Sequence, residues 1–377
     1  MYIYFVKVEI RDNQQAQMSL VPAQGILYKL FNNEDLKWEV RQMKILSFPN
    51  QLIQRSTRSF IREARQIPGY SFYDWLHGYV YARWPYLYIG IGTGEHPLAK
   101  SLGPAFRMLT RFVSRRAPVK RMDNQPLPHS STLTSNTHAD GYHGKVVPLG
   151  AATQLVTVNE AVRLPNLEQV IPYVRARDLI LQNPDHIVAL DCPCRSAREK
   201  PCLPLDVCLI VGEPFAGFVA EHHPNRSRWI TSQEAVEILK AEDDRGHAHH
   251  AFFKDAMLGR FYAICNCCSC CCGAIQSHQR GTPMLASSGY VSSIDEDLCI
   301  GCGDCAENCQ FGAIHVNGRS EIDDERCMGC GICVSHCEQE AISLVLDPAR
   351  GQPLEIFSLM EEMSRAVSPP EVAGRLQ

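Results

Sequence analysis

Eight cysteines near the carboxyl end of the chain recur at the spacings of metal-binding loops. Residues 299–309 read C-I-G-C-G-D-C-A-E-N-C and residues 327–337 read C-M-G-C-G-I-C-V-S-H-C, so each run is C-x2-C-x2-C-x3-C. Thiolates are ligands of soft metals and of iron–sulfur clusters. Two such runs supply the number of thiolates that two four-iron clusters require. The spacing therefore predicts two [4Fe–4S] sites.

Zinc and disulfide bonds are the alternative uses of so many cysteines. Four-cysteine zinc sites normally combine two C-x2-C pairs across a long spacer, whereas here a four-cysteine run is repeated. Disulfides are typical of small secreted chains, and no stretch of this sequence resembles a cleavable signal peptide. The pattern favours iron–sulfur clusters in a protein predicted to be cytoplasmic.

The region from residue 290 to 346 resembles the bacterial two-cluster [4Fe–4S] ferredoxins. The resemblance implies that the last cysteine of each run crosses over to the other cluster. It assigns one cluster to Cys299, Cys302, Cys305 and Cys337, and the second cluster to Cys327, Cys330, Cys333 and Cys309. The chain departs from the family at Gln310 and Glu338, because the family usually has proline after the fourth cysteine of each run. No ligand is lost, but a rigid corner is missing.

Ten further cysteines lie upstream in two groups. The groups are Cys192, Cys194, Cys202 and Cys208, and Cys265, Cys267, Cys268, Cys270, Cys271 and Cys272. Each group follows an apolar, strand-like run, and loops at strand ends can direct side chains to a shared site. We predict at least one additional metal site here, iron–sulfur first, with zinc or free redox-active thiols as alternatives. Six cysteines within eight residues cannot all bind one metal, so several are expected to serve different sites.

Two resemblances bear on these upstream cysteines. The C-P-C-R element at residues 192–195 resembles part of ferredoxin–thioredoxin reductase, which implies a cluster beside a redox disulfide. The order of C-P-C-R, C-N-C-C-S-C-C-C and a dicluster module is similar to that in a group of ferredoxin-domain proteins of anaerobic bacteria, which implies a composition and no particular activity. The histidines at 222–223 and 247–250 are interpreted as structural, because thiolates are the softer ligands.

Composition and local patterns predict an α+β protein of several domains. The 377 residues are 45% apolar, which is ample for a core. We divide the chain into a mixed, mainly helical, aromatic and basic N-terminal region (1–123), a linker (124–145), a cysteine-rich α/β domain (146–289), a ferredoxin-like dicluster module (290–346) and a C-terminal helix and tail (347–377). The module should contain two short strand pairs, 291–294 with 342–346 and 313–317 with 320–322, and two short helices at 306–310 and 334–338.

Further helices are predicted in the cysteine-rich domain and beyond. Pro172 is expected to begin a helix that ends near Gln182, because proline is tolerated in a first helical turn. Thr231 and Glu234 form a capping-box pattern that should begin a second helix ending near Asp244. A third helix is predicted at residues 355–366.

Charge and aromatic residues suggest where partners bind. Residues 290–346 hold eleven Asp and Glu against two Arg, and residues 1–150 hold nineteen Lys and Arg against ten acids. The aromatic segment 68–100 is interpreted mainly as core, with a docking face for a partner or the membrane surface as the alternative. The arginine-rich segment 105–121 is interpreted as a solvated helix, with binding of an acidic partner or anionic lipid as the alternative. No transmembrane span and no nucleic-acid module are expected.

The sequence predicts a carrier of single electrons that serves an unidentified redox protein, as part of an anaerobic oxidoreductase system and with no substrate chemistry of its own. The alternative is a ferredoxin-dependent reductase of disulfides or small molecules that uses the upstream cysteines.

Overall fold

A computed structural model describes residues 4–11, 15–22, 54–96, 141–173 and 177–367. The chain divides into two units, residues 1–53 and 54–377. In the first unit, β1 (Tyr4–Arg11) and β2 (Gln15–Pro22) form an antiparallel hairpin. The arginine-rich segment 105–121 and most of the predicted linker lie outside the described residues.

Three helices open the second unit and contain the aromatic segment. They are α1 (Arg55–Ala64), α2 (Phe72–Arg83) and α3 (Pro85–Gly92). Helix α2 begins at a capping box, in which the Asp74 N–H donates to Ser71 Oγ and the Asp74 carboxylate accepts from the Ser71 N–H. Tyr81 is buried in the core, whereas Phe72 and Trp84 are exposed. The aromatic residues therefore divide between core and surface.

An eight-stranded mixed sheet follows. Its strands are β3 (Tyr142–Val147), β4 (Val162–Leu164), β5 (Leu179–Leu190), β6 (Cys208–Glu213), β7 (Ser227–Ile230), β8 (Ala248–Lys254), β9 (Arg260–Cys267) and β10 (Leu285–Ala286). The order is β10-β3-β8-β9-β6-β5-β4, with β7 paired to β5. The β10–β3 pair is parallel and the other pairs are antiparallel. Strand β3 begins at Tyr142, within the segment predicted as linker.

Helices pack against this sheet in two groups. The helices are α4 (Leu149–Thr157), α5 (Pro193–Ser196), α6 (Phe215–His222), α7 (Ser232–Asp243) and α8 (Gly273–Gln279). Helices α4 and α7 pack on each other and on β5 and β8, while α6 packs on β5 and β6 together with α1 and α2. The capping box predicted for α7 is present, since Glu234 N donates to Thr231 Oγ1 at 3.1 Å.

The helix predicted between Pro172 and Gln182 is wrong. Strand β5 begins at Leu179 and continues through Pro184, and its register with β6 shifts between Gln182 and Ile187. Proline lacks the N–H of a regular ladder, and a bulge is one of the few strand positions that accept it. Asn183 has a φ of 48°, which places the irregularity directly before Pro184.

The carboxyl-terminal module has the two strand pairs that the sequence predicts. Its elements are β11 (Tyr290–Ile294), α9 (Asp304–Glu307), β12 (Ile314–Asn317), β13 (Arg319–Ile322), α10 (Ile332–Ser335) and β14 (Ile342–Leu346). Strand β11 pairs with β14, and β12 pairs with β13. The two short helices begin two residues earlier than predicted. Helix α11 (Ile356–Val367) confirms the helix predicted at residues 355–366. It follows a short 3₁₀ turn at Pro348–Arg350.

The module packs directly on the sheet domain. Phe311, Met328, Cys330 and Ile332 are buried in the large core, and a smaller cluster lies inside the module itself. Arg350 also reaches back from the 3₁₀ turn, since its Nη1 donates to the Cys327 carbonyl at 2.5 Å. Within the described ranges, no helix is both long and apolar enough to cross a bilayer.

Candidate metal centres

The ferredoxin-type cysteines form two groups in the module. Cys330 and Cys333, from the second run, lie close enough to Cys309 for their charges to interact. In the first run, Cys305 is similarly close to Cys299 and Cys302. Cys333 also interacts with Cys305 of the first run, so these interactions place the cysteines of the two runs close together.

Backbone N–H groups point at the fourth sulfur of each run. Ala313 N donates to Cys309 Sγ at 3.2 Å, and Ala341 N donates to Cys337 Sγ at 3.3 Å. Hydrogen bonds to ligand sulfur stabilise negative charge there and tune the potential of a bound cluster. The equivalent sulfurs of the two runs therefore accept the same kind of backbone hydrogen bond.

Two serines repeat this symmetry and were not singled out from the sequence. Ser292 Oγ lies 3.2 Å from Cys333 Sγ, and Ser320 Oγ lies 3.3 Å from Cys305 Sγ. Both serines lie on strands of the module and are buried. Strand pairing brings them to the third cysteine of each run, and the cysteine spacing alone carries no signal for this contact.

Glycine is required where the cysteine loops turn. Gly301 and Gly329 have φ values of 69° and 64°. A Cβ on Gly301 would come within 2.2 Å of the Gly318 carbonyl oxygen, and one on Gly329 within 2.1 Å of the Tyr290 carbonyl oxygen. Each loop can approach its neighbouring strand only because this residue has no side chain.

The two cysteine trios differ in exposure. Cys302 is exposed, whereas Cys327, Cys330 and Cys333 are all buried. Hydrogen bonds from the backbone of Ser320 and Gly301 lower the pKa of Cys299. Burial raises the pKa of Cys333 to about 12. A buried trio of thiolates needs a bound cation to offset its charge, so this trio suits a metal centre.

Four of the upstream cysteines form a compact sulfur site. Cys202, Cys268, Cys270 and Cys271 place their Sγ atoms within 4.8 Å of one another. Cys202 Sγ lies 3.2 Å from Cys270 Sγ, 3.6 Å from Cys268 Sγ and 3.8 Å from Cys271 Sγ. A tetrahedral ion with metal–sulfur bonds of about 2.3 Å places its sulfur ligands about 3.8 Å apart. The spacing therefore fits a single ion, zinc or iron.

The substitution Cys202→Ser should remove about one metal ion per chain. Cys202 contacts all three of the other thiols, so its loss leaves only three ligands for a tetrahedral ion. Metal analysis of anaerobically purified protein would measure the change. The control is Ser269→Ala, which alters the same loop and keeps every thiol. An unchanged metal content in the Cys202 variant would contradict a four-thiolate site.

Two side chains hold the loop of these cysteines. Arg198 Nη2 donates to the Cys271 carbonyl at 3.0 Å and to Gln276 Oε1 at 2.9 Å. Gln276 Nε2 donates to the carbonyls of Ser269 and Cys270 at 3.0 Å each. These bonds tie the loop to α8, so the four thiols are held by a fixed backbone.

Arg195 is the last residue of the C-P-C-R element, and its role is structural. The sequence alone does not predict this role. Its side chain is 1% exposed and forms an ion pair with Glu242, which is 0% exposed. It also donates to the carbonyls of Pro204 at 2.6 Å and Asn266 at 3.1 Å. Arg195 thus connects the loop that holds Cys192 and Cys194 to both α7 and β9. His247 Nδ1 lies 2.7 Å from the same carboxylate, consistent with a structural role for this histidine.

Gln310 joins the ferredoxin module to the upstream cysteine loop. Its Oε1 accepts from the Ser269 N–H at 2.7 Å, and its Nε2 donates to the Gly246 carbonyl at 2.7 Å. Proline, the usual residue of the family, can make neither bond. The departure from the family pattern therefore has a structural use, because Gln310 follows Cys309 directly and Ser269 lies between Cys268 and Cys270.

Comparison with known families agrees with this geometry. Residues 293–315 and 320–343 match the 4Fe-4S binding domain family, and each match contains one four-cysteine run. A search of curated proteins gave no match. The carboxyl-terminal region is a 4Fe–4S binding domain, and this domain supports an iron–sulfur electron-transfer role. The cysteine-rich α/β region upstream lies outside the matched residues.

Proposed function

We propose that this protein carries single electrons through two [4Fe–4S] clusters, to or within an anaerobic oxidoreductase system of the cytoplasm. The first cluster would be held by Cys299, Cys302, Cys305 and Cys337, and the second by Cys327, Cys330, Cys333 and Cys309. Bound clusters of this kind gain and lose one electron each. The observation that carries the proposal is the position of Cys309 beside Cys330 and Cys333.

The two cysteine trios differ in exposure, and this difference suits electron transfer in one direction through the module. Cys302 faces solvent, so the first cluster site is open to an external redox protein. Cys330 is buried in the large core, so the second site faces the sheet domain. The acidic surface of the module, with eleven acids against two arginines, favours a partner with a basic docking face. The partner is a redox protein of this charge.

The contact through Gln310 supports a continuation of this route within the chain. Its side chain connects the residue after Cys309 to the N–H between Cys268 and Cys270. The ion site of Cys202, Cys268, Cys270 and Cys271 is therefore next to the second cluster site. Zinc there would be structural, because zinc has no redox chemistry, and iron would extend the route.

The reductase alternative requires a thiol pair that is free of metal beside an open pocket. All eighteen cysteines lie in described parts of the chain. Eight belong to the module and four to the compact sulfur site, and the other six line a cavity that Cys268 and Cys271 also line. The six cavity-lining thiols are therefore the candidates for such a pair, and a cluster bound to them would favour the carrier.

Reductive titration tests the proposal. Anaerobic protein would be reduced with titanium(III) citrate, freed of excess reductant and mixed with an oxidised one-electron dye. We expect at least about two electrons per chain, one from each cluster. A chain that delivers less than about one electron to the dye would contradict the proposal. The Cys302→Ala variant should lose about one of these electrons.

Replacing Gln310 with alanine should loosen the contact between the module and the cysteine loop. The change removes the side-chain hydrogen bonds to Ser269, Gly246 and Asn308. The bond from the Ser269 N–H is worth about 1 kcal/mol. Hydrogen exchange in the peptide that contains Ser269 should accelerate about 5-fold. Glu338→Ala is the matched control, since Glu338 is the equivalent residue of the second run and is exposed. Equal exchange in the two variants would count against the docking role of Gln310.

A further inference from the structure

The six upstream cysteines that do not belong to the compact sulfur site form a closed ring of thiols. Each one contacts two others in the order Cys192, Cys194, Cys272, Cys267, Cys265, Cys208 and back to Cys192. Cys208 Sγ lies 3.9 Å from Cys265 Sγ. Four of the six are buried, and Cys194 and Cys265 are partly buried. We call this group the six-thiol ring.

The sheet assembles the ring from three strand ends and two helix starts. Cys208 begins β6 and is the register partner of Cys265 on β9. Because side chains alternate along a strand, Cys265 and Cys267 point to the same face of β9. Cys192 and Cys272 are the residues immediately before α5 and α8. Rigid elements therefore fix the ring, although its members are distant in sequence.

The ring does not fit a single metal ion. Two thiolates on one ion with bonds of about 2.3 Å can be no more than about 4.6 Å apart. Among the described residues, the only cysteines that meet a mutual limit of 4.8 Å in threes or fours are those of the compact sulfur site. The two ferredoxin quartets also fail this limit, as ligands around a multi-iron body should. The ring thiols contact their neighbours but do not all lie within this limit, so more than one ion is needed to bind all six.

The ring also encloses space and lacks charge compensation. All six cysteines line a cavity of about 80 Å³, together with Cys268 and Cys271 of the compact sulfur site. This volume is several times the roughly 10–15 Å³ that one water molecule needs. Arg195 is the only charged residue among those that line it, and its charge is already paired with Glu242. Six thiolates in an apolar cavity need several positive charges at once. A body with several metal ions supplies them.

We infer that the six-thiol ring binds a polynuclear iron–sulfur cluster, separate from the single ion of Cys202, Cys268, Cys270 and Cys271. Soft thiolate ligands select Cu(I), zinc or iron–sulfur clusters, and only a multi-metal body matches the spacing and the cavity. Arg195 touches the surroundings of both sites, because its charge acts on Cys192 and on Cys268. The ten upstream cysteines thus form two centres of different kinds.

Iron, zinc and acid-labile sulfide counts test this inference on the full-length chain purified anaerobically. We expect about twelve or more irons, of which about eight belong to the ferredoxin module. The double variant C208S/C265S should fall to about eight irons. The control C202S/C270S removes two thiols from the neighbouring site and should lose about one ion, with the iron above eight retained.

The outcomes separate this inference from the proposed function. About eight irons in the unaltered protein would overturn the six-thiol cluster and leave the two ferredoxin clusters standing. Iron near zero would overturn both. If C208S/C265S kept all of its iron, the ring would not be the ligand set. Where that variant fails to fold, native mass spectrometry of the unaltered chain decides, because a cluster of four or more irons with sulfide adds a mass that zinc or copper ions cannot match.

Discussion

Replacing Cys330 with alanine should remove about four irons per chain, and replacing Cys309 should remove the same four. Both sulfurs would serve the second cluster, although they come from different runs, because Cys309 lies beside Cys330 and Cys333. The double variant C309A/C330A should therefore lose no more iron than either single variant. Iron and sulfide analysis with EPR of the reduced protein measures each loss.

The matched control combines ligands of different clusters. C302A/C309A changes one residue from each proposed ligand set and should lose about eight irons. C299A/C302A, with both changes in the first cluster, should lose about four. If C302A/C309A lost only four irons while C309A/C330A lost eight, each run would hold its own cluster and the crossed assignment would be wrong.

Replacing Arg195 with methionine should lower the stability of the sheet domain by about 3–5 kcal/mol. The change leaves the Glu242 carboxylate fully buried without its guanidinium partner, and breaking a buried ion pair in this way is strongly destabilising. The double variant R195M/E242L should recover part of the loss. The midpoint of anaerobic thermal unfolding, with metal content measured on the same samples, gives the comparison.

A surface ion pair provides the control for Arg195. Arg228 contacts Asp206 and Glu234, but its side chain is 48% exposed. Surface pairs contribute at most about 1 kcal/mol, so Arg228→Met should shift the midpoint little. Equal effects of the two substitutions would show that Arg195 has no special structural role. A larger effect confined to Arg195 would identify it as the point that fixes the first cysteine loop.

The module could be predicted in detail because its information is local. The spacing of cysteines within each run defines the ligand loops, and short apolar patterns define the strands that pair around Gly318. The capping box at Thr231 is local in the same sense. The two short helices begin two residues earlier than predicted, because their starts depend on loop geometry around Gly303 and Gly331 rather than on composition.

The upstream centres could not be resolved from the sequence. Cys208 and Cys265 meet because β6 and β9 pair in one register, and nothing near either residue reveals that pairing. Of the adjacent Cys271 and Cys272, only Cys271 belongs to the compact sulfur site, although both line the cavity. The sequence predicts at least one upstream metal site and different sites for the six cysteines at 265–272, but not which cysteines share a site. The error at residues 172–182 has a similar origin, because sheet pairing overrides a local helix pattern there.

The contacts of Gln310 show a further limit of sequence reasoning. The absence of proline at this position suggests that a rigid turn is lost. In the structure, the Gln310 side-chain amide instead accepts a hydrogen bond from the Ser269 N–H and donates one to the Gly246 carbonyl. Residue identity indicates what a side chain can bond to, and only the packed structure supplies the partner.

The most direct test of the account is the iron and acid-labile sulfide content of the anaerobic protein, combined with EPR after reduction. Two clusters in the module predict at least about eight irons and eight sulfides per chain. They also predict a reduced spectrum with the broadening of two neighbouring paramagnetic centres. Fewer than about eight irons, or iron without sulfide, would contradict the central claim.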